Sequence, residues 1–535
     1  MNNLNSPHGG LVSGHRESAW ICPVCQTSET TYLSMVHEMR LDICSTCGLI
    51  TQHTVTSNPG NQPSLIKTDE TAKRDLLTSD TERRAASDYV HLLSRHTTEG
   101  TVLLVADDGH PFADLAKTGH FHVATHVNAQ QLSEASLQTD FYDIAVVIYS
   151  LEKTLNPISA LEKIHAALKT NGILLLTVPI LDSWSAEFFR SGWIGWQPDN
   201  LYYFNSQTIQ SALHRSGFAH VRIRPDYRHY SLQHVYRRAQ AARQQTRITR
   251  LVRVAYHLLP QSVSRNVIKI RLSTSGIVIV AQSQATREHP LLSVIMPVYN
   301  EGQTVSSTLQ AVLDKKLDGI DKEVIIVESN STDDSLEKVK HFQQHPEVRL
   351  VLEERPRGKG HAVRTGFDHA RGDFILIQDA DQEYDIDDYD VLIDALRKYR
   401  SAFVLGSRHT DSWKIREFGN QPGISAYFNF GHFLFCGSLN LLYKQHMKDP
   451  FTMYKVFRKD CLYGLQFESN RFDFDFELVI KLVRKGYTPL EIPVNYHARS
   501  FSEGKKVRVF RDPLTWIRAL IKFRFSPLYP DDSHS

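Results

Sequence analysis

The chain predicts an α/β protein in two large units behind a small cysteine-rich module, and three observations carry that reading. From Thr101 onward short apolar runs at residues 102–105, 144–148 and 173–178 alternate with helical patterns, the rhythm of a doubly wound sheet. A second unit opens at Leu291, after a short linker, and contains the stretch Ile375-Leu376-Ile377-Gln378-Asp379-Ala380-Asp381, an apolar run that stops abruptly at two carboxylates. Four of the six cysteines form two Cys-x-x-Cys pairs near the N-terminus. At 535 residues there is room for two or three domains.

Composition is that of a soluble globular protein, with 41% hydrophobic and 22% charged residues and a mean hydropathy of −0.32. No apolar run reaches the ~18–20 residues of a membrane span. Residues 1–15 have no apolar core, so no signal peptide is expected. With Cys436 and Cys461 standing alone, the cysteines fit a reducing cytoplasm and a metal site better than a disulfide framework.

In chain order, residues 1–19 read as a flexible tail and 20–57 as a zinc ribbon. Cys22-Pro23-Val24-Cys25 and Cys44-Ser45-Thr46-Cys47 lie 18 residues apart. Four thiolates at that spacing close a tetrahedral Zn²⁺ site with no open position, which predicts a structural role. A Pro/Asn/Ser-rich linker at 58–67 precedes a charged helical stretch at about 70–95. Between Asp226 and Glu288 there is no acidic residue, while Arg237, Arg243, Arg250, Arg265 and Lys269 lie among apolar residues. Such a basic amphipathic segment suits either an anionic membrane surface or a solvated helix face. No accompanying motif points to nucleic acid.

Asp379 and Asp381 alternate on one side of an extended segment. At the carboxyl end of a strand they make a hard-oxygen site for Mg²⁺ or Mn²⁺, which shares its shell with substrate phosphates. A polar strand end followed by a helix cap is the plainer alternative. Residues 425–442, rich in aromatics but carrying Asn429, His432 and Asn440, suit either a buried packing helix or an interfacial one.

Two resemblances extend this reading. Phe141-Tyr142-Asp143-Ile144, Ser150-Leu151-Glu152 and the run from Leu168 to Pro179 resemble a class I S-adenosylmethionine-dependent methyltransferase over 58–285, preceded by a ribbon similar to that of sugar C-methyltransferases. The cofactor turn departs from the family: Ala106, Asp108 and His110 stand where glycines are expected, Val127 where an acid is expected, and Lys153 where a histidine is usual. These departures imply a fold kept and S-adenosylmethionine chemistry lost.

After a linker at 286–291, residues 292–525 resemble a family 2 glycosyltransferase of GT-A fold, with 526–535 as a tail. The matching features are Pro297, Tyr299 and Glu301, then Glu328-Ser329-Asn330-Ser331-Thr332-Asp333, Gly358-Lys359-Gly360-His361-Ala362, the Asp379/Asp381 pair and Leu405-Gly406-Ser407-Arg408. The resemblance implies donor contacts from Pro297, Tyr299, Glu301, Glu328, Lys359, Asp379 and Arg408, and a third metal oxygen from Glu383. Asp475 is implied as catalytic base, with Glu477 second, and Arg499 with Lys505 as a phosphate clamp like that of polyprenyl-phosphate glycosyltransferases. The chain is therefore expected to be an inverting, metal-dependent enzyme moving a sugar from a nucleotide-sugar to a polyprenyl phosphate or a cell-surface glycan intermediate. Its front domain is expected to be non-catalytic. A bifunctional glycosyltransferase and sugar methyltransferase, or a partner-recruiting scaffold in the front half, are the alternatives. A cytoplasmic location is expected, peripheral at the membrane face through 231–271 and 425–442.

Overall fold

A computed structural model describes residues 20–36, 39–53, 76–193, 195–230, 254, 270–285, 287–408, 422–471, 473–497 and 511–529. A four-stranded antiparallel sheet runs in the order β1-β2-β3-β8, from β1 (Thr30–Val36), β2 (Met39–Cys44), β3 (Ile50–His53) and β8 (Tyr202–Tyr203). Its last strand comes from far along the chain. Cys22, Val24 and Leu49 share one buried cluster with Leu213 and Phe218, and Arg215 donates to the carbonyls of Pro23 and Val24. The ribbon is thus packed against the following domain.

The second sheet has the order β5-β4-β6-β7-β10-β9, built from β4 (Gly100–Val105), β5 (Phe121–Val127), β6 (Tyr142–Ile148), β7 (Leu168–Pro179), β9 (Phe218–Tyr230) and β10 (Ile270–Ser283). The first four are parallel and the last two join antiparallel. The expected charged helix is Leu76–Leu93. Helix Pro157–Ala167 begins where the Asn156 side chain accepts from the Ile158 and Ser159 N–H groups, with proline at the first turn. Most of the basic segment 231–271 lies outside the described residues.

The third sheet has the order β13-β12-β11-β14-β16-β15-β17, from β11 (Leu291–Val298), β12 (Asp321–Glu328), β13 (Val348–Leu352), β14 (Phe374–Ile377), β15 (Phe403–Ser407), β16 (Lys455–Arg458) and β17 (Leu490–Pro493). β13 to β14 are parallel. Val294, Ile295, Ile325, Ile326, Leu376 and Ile377 are fully buried, as expected for strands covered on both faces. The chain winds outward from β11 to β13 and returns to the other side of β11 as β14. That reversal is a topological switch point, where a ligand crevice opens beyond the strand ends.

Helices Phe474–Arg484, Pro422–Tyr443 and Arg511–Phe525 meet beside this sheet; Tyr443 Oη donates to Leu520 O and Arg484 to Phe523 O. Among the described residues no helix is long and apolar enough to cross a membrane. The two α/β units also touch. The Asp460 carboxylate accepts the His220 and Val221 N–H groups of β9, and Gln210 Nε2 donates to Lys485 O.

Candidate active site

Asp379 and Asp381 lie just past β14, and their loop is anchored from below. Ala380 O accepts Thr304 Oγ1 at 2.7 Å and Thr308 Oγ1 at 3.3 Å. The buried Gln378 accepts Tyr389 Oη at 2.9 Å. Lys359 Nζ sits 2.5 Å from Asp379 Oδ1. Burial pushes the Lys359 ammonium down, but Asp379, Asp475 and Asp381 override it and hold its pKa above the ordinary lysine value. One ammonium therefore feels all three carboxylates.

Asp475 stands in the first turn of Phe474–Arg484, with Oδ1 3.0 Å from Lys455 Nζ. Lys455 is fully buried, and its ammonium also donates to Thr452 O. Burial lowers its pKa, Asp475 works against that, and Lys359 adds to it. Lys455 is the participant that the sequence reading missed. Its signal was a cation directly before the apolar pair Val456-Phe457.

The loop carrying Lys359 is pressed against the turn that opens the Asp475 helix. Gly358 has φ +108°, and a Cβ there would lie 2.4 Å from Asn470 O; the His361 N–H donates to the same carbonyl. Only glycine fits that combination. Lys359 and Asp475 are thus positioned by one contact.

The loops after β11 and β12 form an adjoining wall. The Asn300 N–H donates to Ser331 Oγ, that of Glu301 to Ser335 Oγ, and that of Gly302 to Asp333 Oδ2. Pro297 is half-buried, and Tyr299 is 36% exposed, enough to offer a ring face. Glu328 is buried, and its two oxygens accept the Asn330 and Ser331 N–H groups at 3.0 and 2.8 Å. It caps the turn after β12.

Three expected residues are placed differently from the expectation. Glu477 follows Asp475 by two residues on a helix, so the two point to opposite sides. Its carboxylate is fully buried, 2.5 Å from Lys481 Nζ, and accepts the Glu468 and Ser469 N–H groups, a structural assignment and not that of a base. Arg408 is buried in a two-pronged pair with Asp449, both contacts 2.7 Å, beneath the Tyr496 ring. Burial raises the Asp449 carboxyl, but Arg408 wins and holds it well below the usual range. The Arg408 guanidinium is therefore occupied by protein rather than turned to a donor phosphate. Glu383 Oε2 accepts Tyr496 Oη at 2.8 Å. Among the described residues, the set of three or more Cys, His, Asp or Glu side chains with ligand atoms within 4.8 Å of one another is the cysteine set, so Glu383 does not join Asp379 and Asp381 in such a set. Arg499 and Lys505 lie outside the described residues.

At the other end of the chain, all four ribbon cysteines are free and buried. Cys22 Sγ lies 3.6 Å from Cys47 Sγ, and Cys25 Sγ 3.5 Å from Cys44 Sγ. A tetrahedral metal with ~2.3 Å bonds to sulfur needs edges of about 3.8 Å, so the four thiols fit a closed metal site. In the turn after β4, Lys153 Nζ pairs with Asp107 at 3.2 Å. Burial, helped by Arg228, pushes His110 down to about 4. Val127 closes β5, where an acid was looked for. Glu152 is 1% exposed, its Oε2 has no hydrogen-bond partner, and burial pushes its pKa up to about 7.

The two large sheets define a protein with two α/β units, the second carrying a carboxylate pair at its switch point. Residues 293–464 match the family model Glycosyl transferase family 2, and residues 75–223 match the family model Methyltransferase domain. The C-terminal half thus carries a family 2 glycosyltransferase domain, and the N-terminal half a methyltransferase domain. The chain is 27% identical over 233 residues to the dolichol-phosphate mannosyltransferase of Pyrococcus furiosus, covering 43% of this chain and 64% of that one. It is 26% identical over 264 residues to the dolichyl-phosphate beta-glucosyltransferase of Saccharomyces cerevisiae, covering 45% and 76%. Among solved structures, the Pyrobaculum calidifontis mannosyltransferase in complex with GDP-Man and Mn²⁺ is 23% identical, with 38% of this chain and 55% of that one covered and a TM-score of 0.28.

Proposed function

We propose that this chain transfers a sugar from a nucleotide-sugar to a polyprenyl phosphate or a cell-surface glycan intermediate, with Mg²⁺ or Mn²⁺ at Asp379 and Asp381 and structural zinc in the cysteine set. The observation that carries the reading is the meeting of Asp379, Asp381, Lys359 and Asp475 beyond the ends of β11 and β14. The names of the two relatives, both lipid-phosphate glycosyltransferases, support the acceptor class.

Two carboxylates that leave room for substrate phosphates suit a hard divalent cation. When bound, that cation neutralises the charge growing on the departing diphosphate. The chain's own groups do the rest. Lys359 adds a second positive charge beside the diphosphate. Tyr299 offers its ring to the base, beside Pro297 and Glu301. Lys455 holds the Asp475 carboxylate by a 3.0 Å contact, aimed to take a proton from an acceptor hydroxyl. An acceptor that is already an ionised phosphate needs no such base, and Arg499 with Lys505 then clamp it. Direct displacement inverts the anomeric centre.

Helix Pro422–Tyr443 buries Phe435, Cys436, Leu439 and Tyr443 but exposes Phe430, Phe433, Leu434 and Leu441. That divided surface supports peripheral contact with the cytoplasmic membrane face, where a lipid acceptor resides. The Asp107–Lys153 pair and the half-buried His110 in the front turn support a non-catalytic methyltransferase-like domain. The family match there keeps the bifunctional reading as the alternative, and low-micromolar S-adenosylmethionine binding by the full chain would favour it.

The test is a release screen of nucleotide-sugars with Mn²⁺ or Mg²⁺, with and without a polyprenyl phosphate. Turnover that needs both the metal and the lipid is expected. Undiminished turnover in a chelator would overturn the metal assignment, and indifference to the lipid would overturn the acceptor.

A further inference from the structure

Between the two α/β units lies a cavity of about 940 Å³. Pro290, Gly372 and Phe374 line it, so it opens at the starting ends of β11 and β14, across the sheet from Asp379. Phe218, Ala219 and His220 of β9 form the facing wall.

Its lining is cationic in a particular way. Arg287, Arg364, Arg371, Arg397, Arg458 and Lys459 line it against four carboxylates, Glu288, Asp368, Asp373 and Asp460. Two of those carboxylates are already engaged. Asp373 accepts the Leu291 N–H and Arg287, and Asp460 accepts two N–H groups of β9. Three of the cations are satisfied as donors without being neutralised. Arg397 donates to Asp318 O at 2.8 Å, Arg458 to Leu396 O at 2.8 Å and Lys459 to Ala370 O at 2.6 Å. No carboxylate pairs with any of these three among the described residues. Arg458 is further held over the Tyr399 and Phe374 rings, 4.3 and 5.1 Å from their centroids. Arg364 has a buried Nε with no partner at all. A carbonyl satisfies a donor but leaves the charge standing, and a partly enclosed wall strengthens its field.

We propose that this cavity is a second ligand site, distinct from the donor site, that takes a small phosphate-bearing molecule. Guanidinium groups match phosphate oxygens in geometry and charge, and the volume lies within the range of small-molecule sites, which favour domain interfaces. A ligand there touches both units and so ties the front domain to the glycosyltransferase domain. That gives the fused front half a role that needs no methyl transfer.

The test uses the full chain in excess EDTA, which removes the cation the donor diphosphate depends on. Calorimetric titration with inorganic pyrophosphate, and separately with ADP, GDP and UDP, reads the remaining binding. Saturable binding at one site per chain is expected, retained in Asp381→Ala and weakened at least ~10-fold in Arg397→Glu and in Lys459→Gln, each of which removes a phosphate contact. Pyrophosphate binding alone identifies the ligand as a simple phosphate, whereas a preference among nucleotides identifies a nucleotide; either supports the site. Absence of saturable binding up to millimolar ligand, equal affinity in Arg397→Glu, or loss in Asp381→Ala overturns it. Circular dichroism of Arg397→Glu, whose side chain is exposed, separates lost binding from lost fold.

Discussion

Asp381 and Asp475 are asked for different work, and substitution separates them. If Asp381 holds the metal against the diphosphate, its loss acts on the transition state and appears in kcat as well as KM. Asp381→Ala is expected to cost at least ~10²-fold in kcat/KM, about 2.7 kcal/mol; full activity in that variant would sink the donor-site assignment. Asp475 needs a gentler change, because Asp475→Ala leaves the buried Lys455 ammonium without its counter-ion, a cost in stability. Asp475→Asn keeps the shape. With a hydroxyl acceptor it should lose activity about as severely as Asp381→Ala while donor binding persists; with an ionised phosphate acceptor it should be milder than Arg499→Ala. Comparing initial rates of the two variants reports the acceptor class. In the front domain the telling residue is Glu152. Its folded pKa, about 7, lies above the ordinary 4.5, so the protonated form favours the fold. That contribution is present in full below about pH 4.5 and is lost as pH rises through 7. Glu152→Gln should therefore match the wild type in acid and gain on the order of 3 kcal/mol by pH 8; parallel unfolding curves across that range would refute the burial argument.

At the level of elements, the ribbon is the piece whose stability has a separable source. Its sheet is short and borrows its last strand from Tyr202–Tyr203, so a metal at four buried thiols is expected to supply much of its folding energy. One zinc per chain should appear in metal analysis of freshly purified protein. Cys44→Ser should lower the first melting transition while nucleotide-sugar turnover largely survives; equal melting of the variant and wild type would argue against a structural metal. Elements were the most legible scale in the sequence. Apolar runs at 102–105, 144–148, 173–178 and 375–377 all became strands, and Cys-x-x-Cys spacing located the thiol cluster, because both signals are local. What stayed hidden was decided by partners distant in sequence. Arg408 is claimed by Asp449 and Asp475 by Lys455, pairs that no local pattern announces. Glu477, the second base candidate, lies two residues along the same helix and so on its other side, where Lys481 holds it.

For the whole molecule, the two α/β units are arranged around one seam, with the carboxylate pair at one end of the glycosyltransferase sheet and the cationic cavity at the other. β9 is one of the two outer strands of the front sheet, β5 being the other. Its His220 and Val221 N–H groups face outward from that sheet and are taken up by the Asp460 side chain of the other domain. An outer strand with unclaimed N–H groups is a template for pairing with a second chain, and here the second domain supplies the guard. Severing the halves at the linker would bare that edge, so the front fragment made alone should self-associate as its concentration rises, by strand pairing rather than by any biological contact. The glycosyltransferase domain is, in this respect, its neighbour's protection against aggregation.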